Sequence, residues 1–353
     1  MAAYWYEKAI NNGNVVAMYN LGILYKNGEG VERNHNKAFE LFMKSADNNY
    51  SNGIMMLGHC YDYGVGVNID KQEAAKFYQK AANCGSVGAT FNLGLLYMNG
   101  TGVDKDEKKA FELFKKSAEE DYSNGMTMLG QCYELGIGTI IDKYKAAELY
   151  QKAVSLGNPE ARFHLGMFYK NGEAVNKDEK KAFGLFKQAA EDDCLKAISK
   201  LGYCYETGIG TNIDKQKAAE LYHKAAYLGD VAAQFNHGNF YKNGEGVNKN
   251  HKTAFELFKQ SADANYPGGL LMLGYCYATG IGTKVNKQKS FEYYQMAANL
   301  GDKTAQFNLG LYFEKGKGTT KSKDSAAYWY GKSAEQGFPE AQTKLRSLLK
   351  KMK

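Results

Sequence analysis

Ala89-Thr-Phe-Asn-Leu-Gly94-Leu-Leu-Tyr97-Met-Asn-Gly100-Thr-Gly102-Val-Asp-Lys-Asp106-Glu-Lys-Lys-Ala110 decides the fold, because its skeleton returns every 36 residues along the chain. Leu-Gly stands at 21–22, 57–58, 93–94, 129–130, 165–166, 201–202, 273–274 and 309–310, and His237-Gly238 fills the one gap. No insertion or deletion breaks the phase over these nine copies. A constant period of that size marks a stacked-repeat protein, in which each unit covers the apolar face of its neighbour. The search for function therefore moves from a single active site to a binding surface.

Each copy reads as two helices. Ala17, Leu21, Leu24 and Tyr25 form one stripe at helical spacing. The glycine after the leucine costs a helix about 1 kcal/mol against alanine, so its return in every copy implies a partner helix too close for a side chain. A glycine stop follows, Gly28-Glu-Gly30 in the first copy, with its second glycine replaced only at Ala174. The second helix has an N-cap residue in every copy: Asn34, Asp70, Asp106, Asp142, Asp178, Asp214, Asn250, Asn286 and Ser322. The unit closes on Gly, Asn or Asp (Gly13, Asn49, Gly85, Asp121 and their successors), residues that tolerate a left-handed backbone. Three prolines in 353 residues agree with a chain that is mostly helix.

The pattern Ala-x-x-x-Leu-Gly-x-x-Tyr-x-x-Gly-x-Gly-Val-x-x-Asp-x-x-Lys-Ala, seen at 89–110, resembles the Sel-one-like repeat (SLR), a relative of the tetratricopeptide repeat. The resemblance runs over essentially the whole chain. It implies an all-α fold, a right-handed α-α superhelix or solenoid of about nine helix-turn-helix repeats with a concave inner wall. It also implies an adaptor or scaffold for other proteins. The expected organisation is a half-repeat at 1–13, repeats at 14–49, 50–85, 86–121, 122–157, 158–193, 194–229, 230–265, 266–301 and 302–337, and a C-terminal capping helix with a basic end at 338–353. Residues 1–13 match only a second helix, with Trp5 and Tyr6 aligned on Trp329 and Tyr330. Either this helix caps the stack imperfectly or the chain is a fragment of a longer protein.

The copies alternate in type, so the finer period is 72. The third residue after the leucine alternates in volume: Leu24, Cys60, Leu96, Cys132, Phe168, Cys204, Phe240, Cys276, Tyr312. Large against small at successive layers is what close packing asks for. Four of the six cysteines are thereby placed as small core hydrophobes, and Cys84 and Cys194 fall at helix ends. Some bacterial SLR proteins carry a bridge in each repeat; the 72-residue spacing here departs from that pattern and favours reduced thiols.

No constellation for catalysis, cofactor or metal binding emerges. The six histidines show no ligand spacing, and the Gly-x-Gly stretches follow helices and lack a P-loop ending. Ser347-Leu-Leu-Lys350 matches a serine β-lactamase tetrad by letter alone, without its companion motifs. Net charge is +7, but acids and bases alternate, so nucleic acid is not expected. No apolar run reaches the roughly 18–20 residues of a membrane span. The opening Met1-Ala-Ala-Tyr-Trp-Tyr lacks the pattern of a signal peptide, which leaves the glycosylation sequons at Asn49 and Asn99 without weight. A cytoplasmic, elongated monomer is the expectation.

The candidate site is a ladder on the first helices. Tyr19, Phe91, Phe163, Phe235 and Phe307 stand two residues before the leucine of each odd copy, beside Asn20, Asn92, His164, Asn236 and Asn308. In tetratricopeptide-like folds this face lines the groove, and an aromatic and amide wall suits an extended protein or peptide partner. The alternative is that the rings fill gaps between repeats. Lys26, Asp62, Lys170, Glu206 and Lys242 read as surface pairs between repeats. The expected function is a non-enzymatic protein–protein interaction scaffold. The alternative is the regulatory array of a larger signalling enzyme, such as a kinase, whose catalytic domain lies outside this chain.

Overall fold

The computed structural model describes residues 1–352, and all regular structure among them is α-helical. Lys353, the last residue of the expected basic end, lies outside the described residues. The chain divides into two compact units, Met1–Lys177 and Asp178 onward. The first holds α1 (Ala2–Asn11), α2 (Val15–Asn27), α3 (His35–Asp47), α4 (Ser51–Tyr63), α5 (Lys71–Asn83), α6 (Val87–Asn99), α7 (Glu107–Glu119), α8 (Ser123–Leu135), α9 (Lys143–Ser155) and α10 (Pro159–Asn171). The second holds α11 (Glu179–Glu191), α12 (Leu195–Thr207), α13 (Lys215–Tyr227), α14 (Val231–Asn243), α15 (His251–Asp263), α16 (Pro267–Thr279), α17 (Lys287–Asn299), α18 (Lys303–Lys315), α19 (Lys323–Glu335) and α20 (Pro339–Lys350). Even-numbered helices are the first helices of the copies and odd-numbered ones the second. Within each unit every helix packs on the one before it, as in a solenoid.

The local signals act where the sequence places them. The side chains of Asp106, Asp142 and Ser322, like their equivalents, accept a hydrogen bond from a first-turn backbone N–H of the second helix; each such cap stabilises its helix by about 1 kcal/mol. Each first helix from α2 to α18 stops on a glycine in the left-handed region, Gly28 to Gly316. Asn49, Asp121, Asp193 and Asn265 close their copies at φ 55–57°.

The core of a copy lies between its two helices. In the third copy Ala89, Leu93 and Leu96 of α6 and Ala110, Phe114 and Ala118 of α7 are all buried. A Cβ on Gly94 would sit 2.7 Å from Cε1 of Phe114. The glycine therefore gives room to an aromatic ring of the second helix, and burying such a ring fully stabilises the fold by about 1.5–3 kcal/mol. Cys60, Cys132, Cys204 and Cys276 are fully buried in these layers, and no disulfide joins any of the six cysteines among the described residues. Burial pushes the Cys60 and Cys132 thiols up to about 12.

The doubled period also shapes the opposite side of the stack. In odd copies Phe39 and Phe111 meet Tyr61 and Tyr133 of the next first helix edge-on, at 5.8 and 5.4 Å. In the second copy Ala75 stands in that place and leaves a cleft of about 610 Å³ over Leu93 and Tyr97, walled by Gln72, Lys76 and Gln79.

Candidate functional site

On each first helix the positions five before, one before, two after and six after the leucine fall at i, i+4, i+7 and i+11, one side of the helix. In the eight first helices from α2 to α16, every exposed residue lies on this stripe. Val16 and Asn27 are the exposed residues of α2, Asn124 and Leu135 of α8, Lys196, Tyr203 and Thr207 of α12, and Tyr275 and Thr279 of α16. The remainder of each helix is covered by its neighbours, so this stripe is where first helices offer a surface.

The structure separates the two columns of the sequence-derived ladder. Tyr19, Phe91, Phe163, Phe235 and Phe307 are half-buried, off the stripe. Phe91 lies 5.8 Å from the ring of Phe114 and 5.4 Å from Tyr122. Tyr19 lies against Phe42 and Tyr50, Phe235 against Phe258 and Tyr266, and Phe307 against Tyr330 and Phe338. These rings fill the joint between a second helix and the start of the next first helix.

Asn20, Asn92, Asn236 and Asn308 are on the stripe, half-buried, and their side-chain amides make no hydrogen bond among the described residues. The same holds for Asn239, one turn beyond Asn236. An amide carries both donors and an acceptor, so each is an unused pair of hydrogen-bonding groups at the surface. His164 differs. Its Nε2 lies 3.0 Å from Nε2 of Gln131, its Nδ1 lies 3.4 Å from Glu134, and its ring stacks on Tyr150 at 5.0 Å.

The charged positions behave differently from the expectation of pairs between repeats. Asp62 bonds Lys71 of its own copy at 2.6 Å and accepts from the hydroxyl of Tyr78. Glu206 accepts from the hydroxyl of Tyr222 at 2.6 Å. The reason is direction: at Asp62 and Glu206, five residues after the leucine, the carboxylate points at its own second helix. Glu134 with Tyr150 and Glu314 with Tyr330 repeat the arrangement. Burial would raise the Glu134 carboxyl, but hydrogen bonds from His164 and Tyr150 outweigh it and hold it below the usual range. Contacts between copies form at the loops, Lys143 with Glu173 at 2.6 Å and Lys215 with Glu245 at 2.8 Å, and at this register only where Glu134 meets His164 at 3.4 Å and Glu314 meets Lys344 at 3.3 Å, among the pairs described. Sequence reasoning missed the tyrosine–carboxylate pair, although a signal existed. An acid sixteen residues before the second-helix aromatic accompanies Tyr in four of five copies (62/78, 134/150, 206/222, 314/330), Ala278 before Tyr294 being the exception, and Lys or Met accompanies Phe (26/42, 98/114, 170/186, 242/258).

One buried polar group stands apart. His237 replaces the repeat leucine, is only 4% exposed, and packs 5.3 Å from His223 and 4.8 Å from Tyr241. Its Nδ1 and the Oε1 of Gln234 are buried without a hydrogen-bond partner. Burial, reinforced by His223, lowers the His237 imidazole to about 4.

Among the described residues no three His, Cys, Asp or Glu side chains are grouped to hold a metal ion. No described helix is long and apolar enough to cross a membrane. Comparison with known proteins adds the following. The Sel1 repeat model matches ten consecutive segments, 1–14, 15–50 and onward to 303–338. A protective antigen of uropathogenic Escherichia coli with an SLR fold superposes with a TM-score of 0.60 at 28% identity, over 97% of this chain and 81% of that one. A Sel1 repeat protein from Oxalobacter formigenes superposes with a TM-score of 0.59 at 27% identity, over 88% of this chain and 90% of the other. No curated protein matches in sequence.

Proposed function

Because the chain belongs to the Sel1 repeat family, we propose that it works as a non-enzymatic scaffold that holds an extended segment of a partner protein along the outward stripe of its first helices. The observation that carries this reading is the set of unpartnered amides, Asn20 and Asn92 in the first unit and Asn236 and Asn308 in the second. An extended peptide has backbone N–H and C=O groups that need partners, and asparagines at one register can supply both. The neighbouring rings of Phe91 and Phe235 act through packing: they fix the helices that present the amides. The test is to replace Asn20, Asn92, Asn236 and Asn308 together by alanine and to titrate a partner isolated by affinity capture. Binding should weaken at least about tenfold, a loss of about 1.4 kcal/mol or more, while the melting curve stays in place. Unchanged affinity would remove the stripe as the binding face.

A further inference from the structure

We propose that the stripe of the first unit is built for an uncharged segment, an extended peptide that lays aliphatic side chains across α2, α4, α6 and α8. The inference rests on the peptide-binding reading of the stripe and names the chemistry of the partner. None of the sixteen stripe positions on these four helices holds Asp, Glu, Lys or Arg. The four helices together carry three charged residues, Lys26, Asp62 and Glu134, whereas the second helices α3, α5, α7 and α9, equal to them in length, carry nineteen. All three stand five residues after the leucine, off the stripe. Asp62 is engaged by Lys71 and Tyr78, and Glu134 by Tyr150 and His164. The one imidazole among the sixteen, His59, is held below its ordinary value by burial and then by Lys26, so it carries no charge at neutral pH.

The uncharged groups form a pattern. In the column before the leucine Asn20, Met56, Asn92 and Met128 alternate amide with thioether; two after the leucine Ile23, His59, Leu95 and Gln131 alternate aliphatic with polar. Polar and apolar points therefore alternate both along the stack and along each helix. An extended peptide alternates in the same way, its backbone groups needing hydrogen bonds and its side chains needing contact. The side-chain amides of Asn20, Asn92 and Asn99 make no hydrogen bond among the described residues. Val16, Tyr63 and Leu135 are 46%, 64% and 63% exposed, which leaves apolar surface uncovered on the same stripe. When a peptide seats here, water leaves both surfaces. A charged side chain on the peptide would lose its hydration with no opposite charge on the stripe to meet it, whereas an aliphatic one gains from the same burial. The wall selects against charge of either sign.

The experiment is a selection of phage-displayed random dodecapeptides on the full chain, followed by fluorescence anisotropy of the labelled winners. A winner is assigned to this stripe when Asn20→Ala with Asn92→Ala weakens its binding. The assigned peptides should share uncharged, mainly aliphatic residues, and their affinity should hold as salt is added. Two charged variants then read the sign. Asn92→Asp with Asn99→Asp adds negative charge without changing shape, and Val16→Lys with Leu135→Lys adds positive charge at exposed positions. Each pair should lower affinity at least about tenfold, with the melting curve in place. An acidic peptide would instead gain from the lysine pair and a basic one from the aspartate pair; either gain would overturn the proposal. Assigned winners that are indifferent to both pairs, or that weaken with salt, would also overturn it while leaving the scaffold reading intact. If no winner depended on Asn20 and Asn92, both readings would fail.

Discussion

Replacing His237 by leucine, the residue at this position in the other eight copies, should stabilise the protein and flatten its acid response. In the fold the imidazole is held near 4 against an ordinary 6.5, first by burial and then by His223. A base whose pKa is depressed on folding leaves the native state less able than the unfolded chain to take up a proton. Stability is therefore complete above pH 6.5 and is lost progressively as pH falls toward 4. At 1.36 kcal/mol per unit, that difference is worth about 3 kcal/mol. At neutral pH a second effect operates, because the buried Nδ1 lacks a partner and such a group costs about 1–3 kcal/mol. Leucine removes both penalties. Repeat arrays open locally, so the suitable assay is amide hydrogen exchange of α14 and α15 at pH 7 and near pH 5 in parent and variant. The leucine chain should be more protected by about 1–3 kcal/mol at pH 7, with the gap widening at lower pH. Equal protection at both pH values would refute the reasoning.

Other outcomes follow from the same geometry. Gly94→Ala should destabilise by about 1–3 kcal/mol, because its Cβ would fall 2.7 Å from Phe114; Gly184→Ala, in the middle of α11 with open space around it, should gain up to about 1 kcal/mol. Comparing their melting curves decides whether ring contact or helix propensity governs the repeat glycine. Tyr222→Phe should cost about 1–3 kcal/mol by stripping Glu206 of its hydroxyl donor, and a variant as stable as the parent would show the pair to be idle. Native alkylation should reach exposed Cys84 first and leave Cys60, Cys132 and Cys276 unmodified until unfolding, since those thiols are buried and their pKa values are raised to 11–12.

What was legible in the sequence was whatever repeats. The period placed the helix pairs, and Asp106 and its equivalents marked helix starts because a cap acts through groups two or three residues away. Gly28 and Asn49 marked the stops for the same reason, their backbone conformation being a local demand. The candidate surface was less legible. A position two residues before the leucine, such as Phe91, lies opposite the core stripe on an isolated helix, yet the next repeat packs on that side too and half-buries the ring. Only the neighbour's entry residue, Tyr122, decides this, and single-helix periodicity does not contain it. The charges at Asp62 and Glu206 were visible but their direction was not, because it depends on how the second helix crosses the first. His237 broke the pattern openly; its missing partner became evident only with the packing around it.

The most direct test of the binding face is site-specific photocrosslinking to the captured partner. A photoreactive phenylalanine would replace Val16, Leu135 or Tyr203 on the stripe, all exposed, and Gln79 or Lys152 on the second helices as controls. Crosslinks should form from the three stripe positions and be absent from the two controls. Crosslinks from Gln79 and Lys152 with none from the stripe would move the interaction to the other side of the stack and contradict the account.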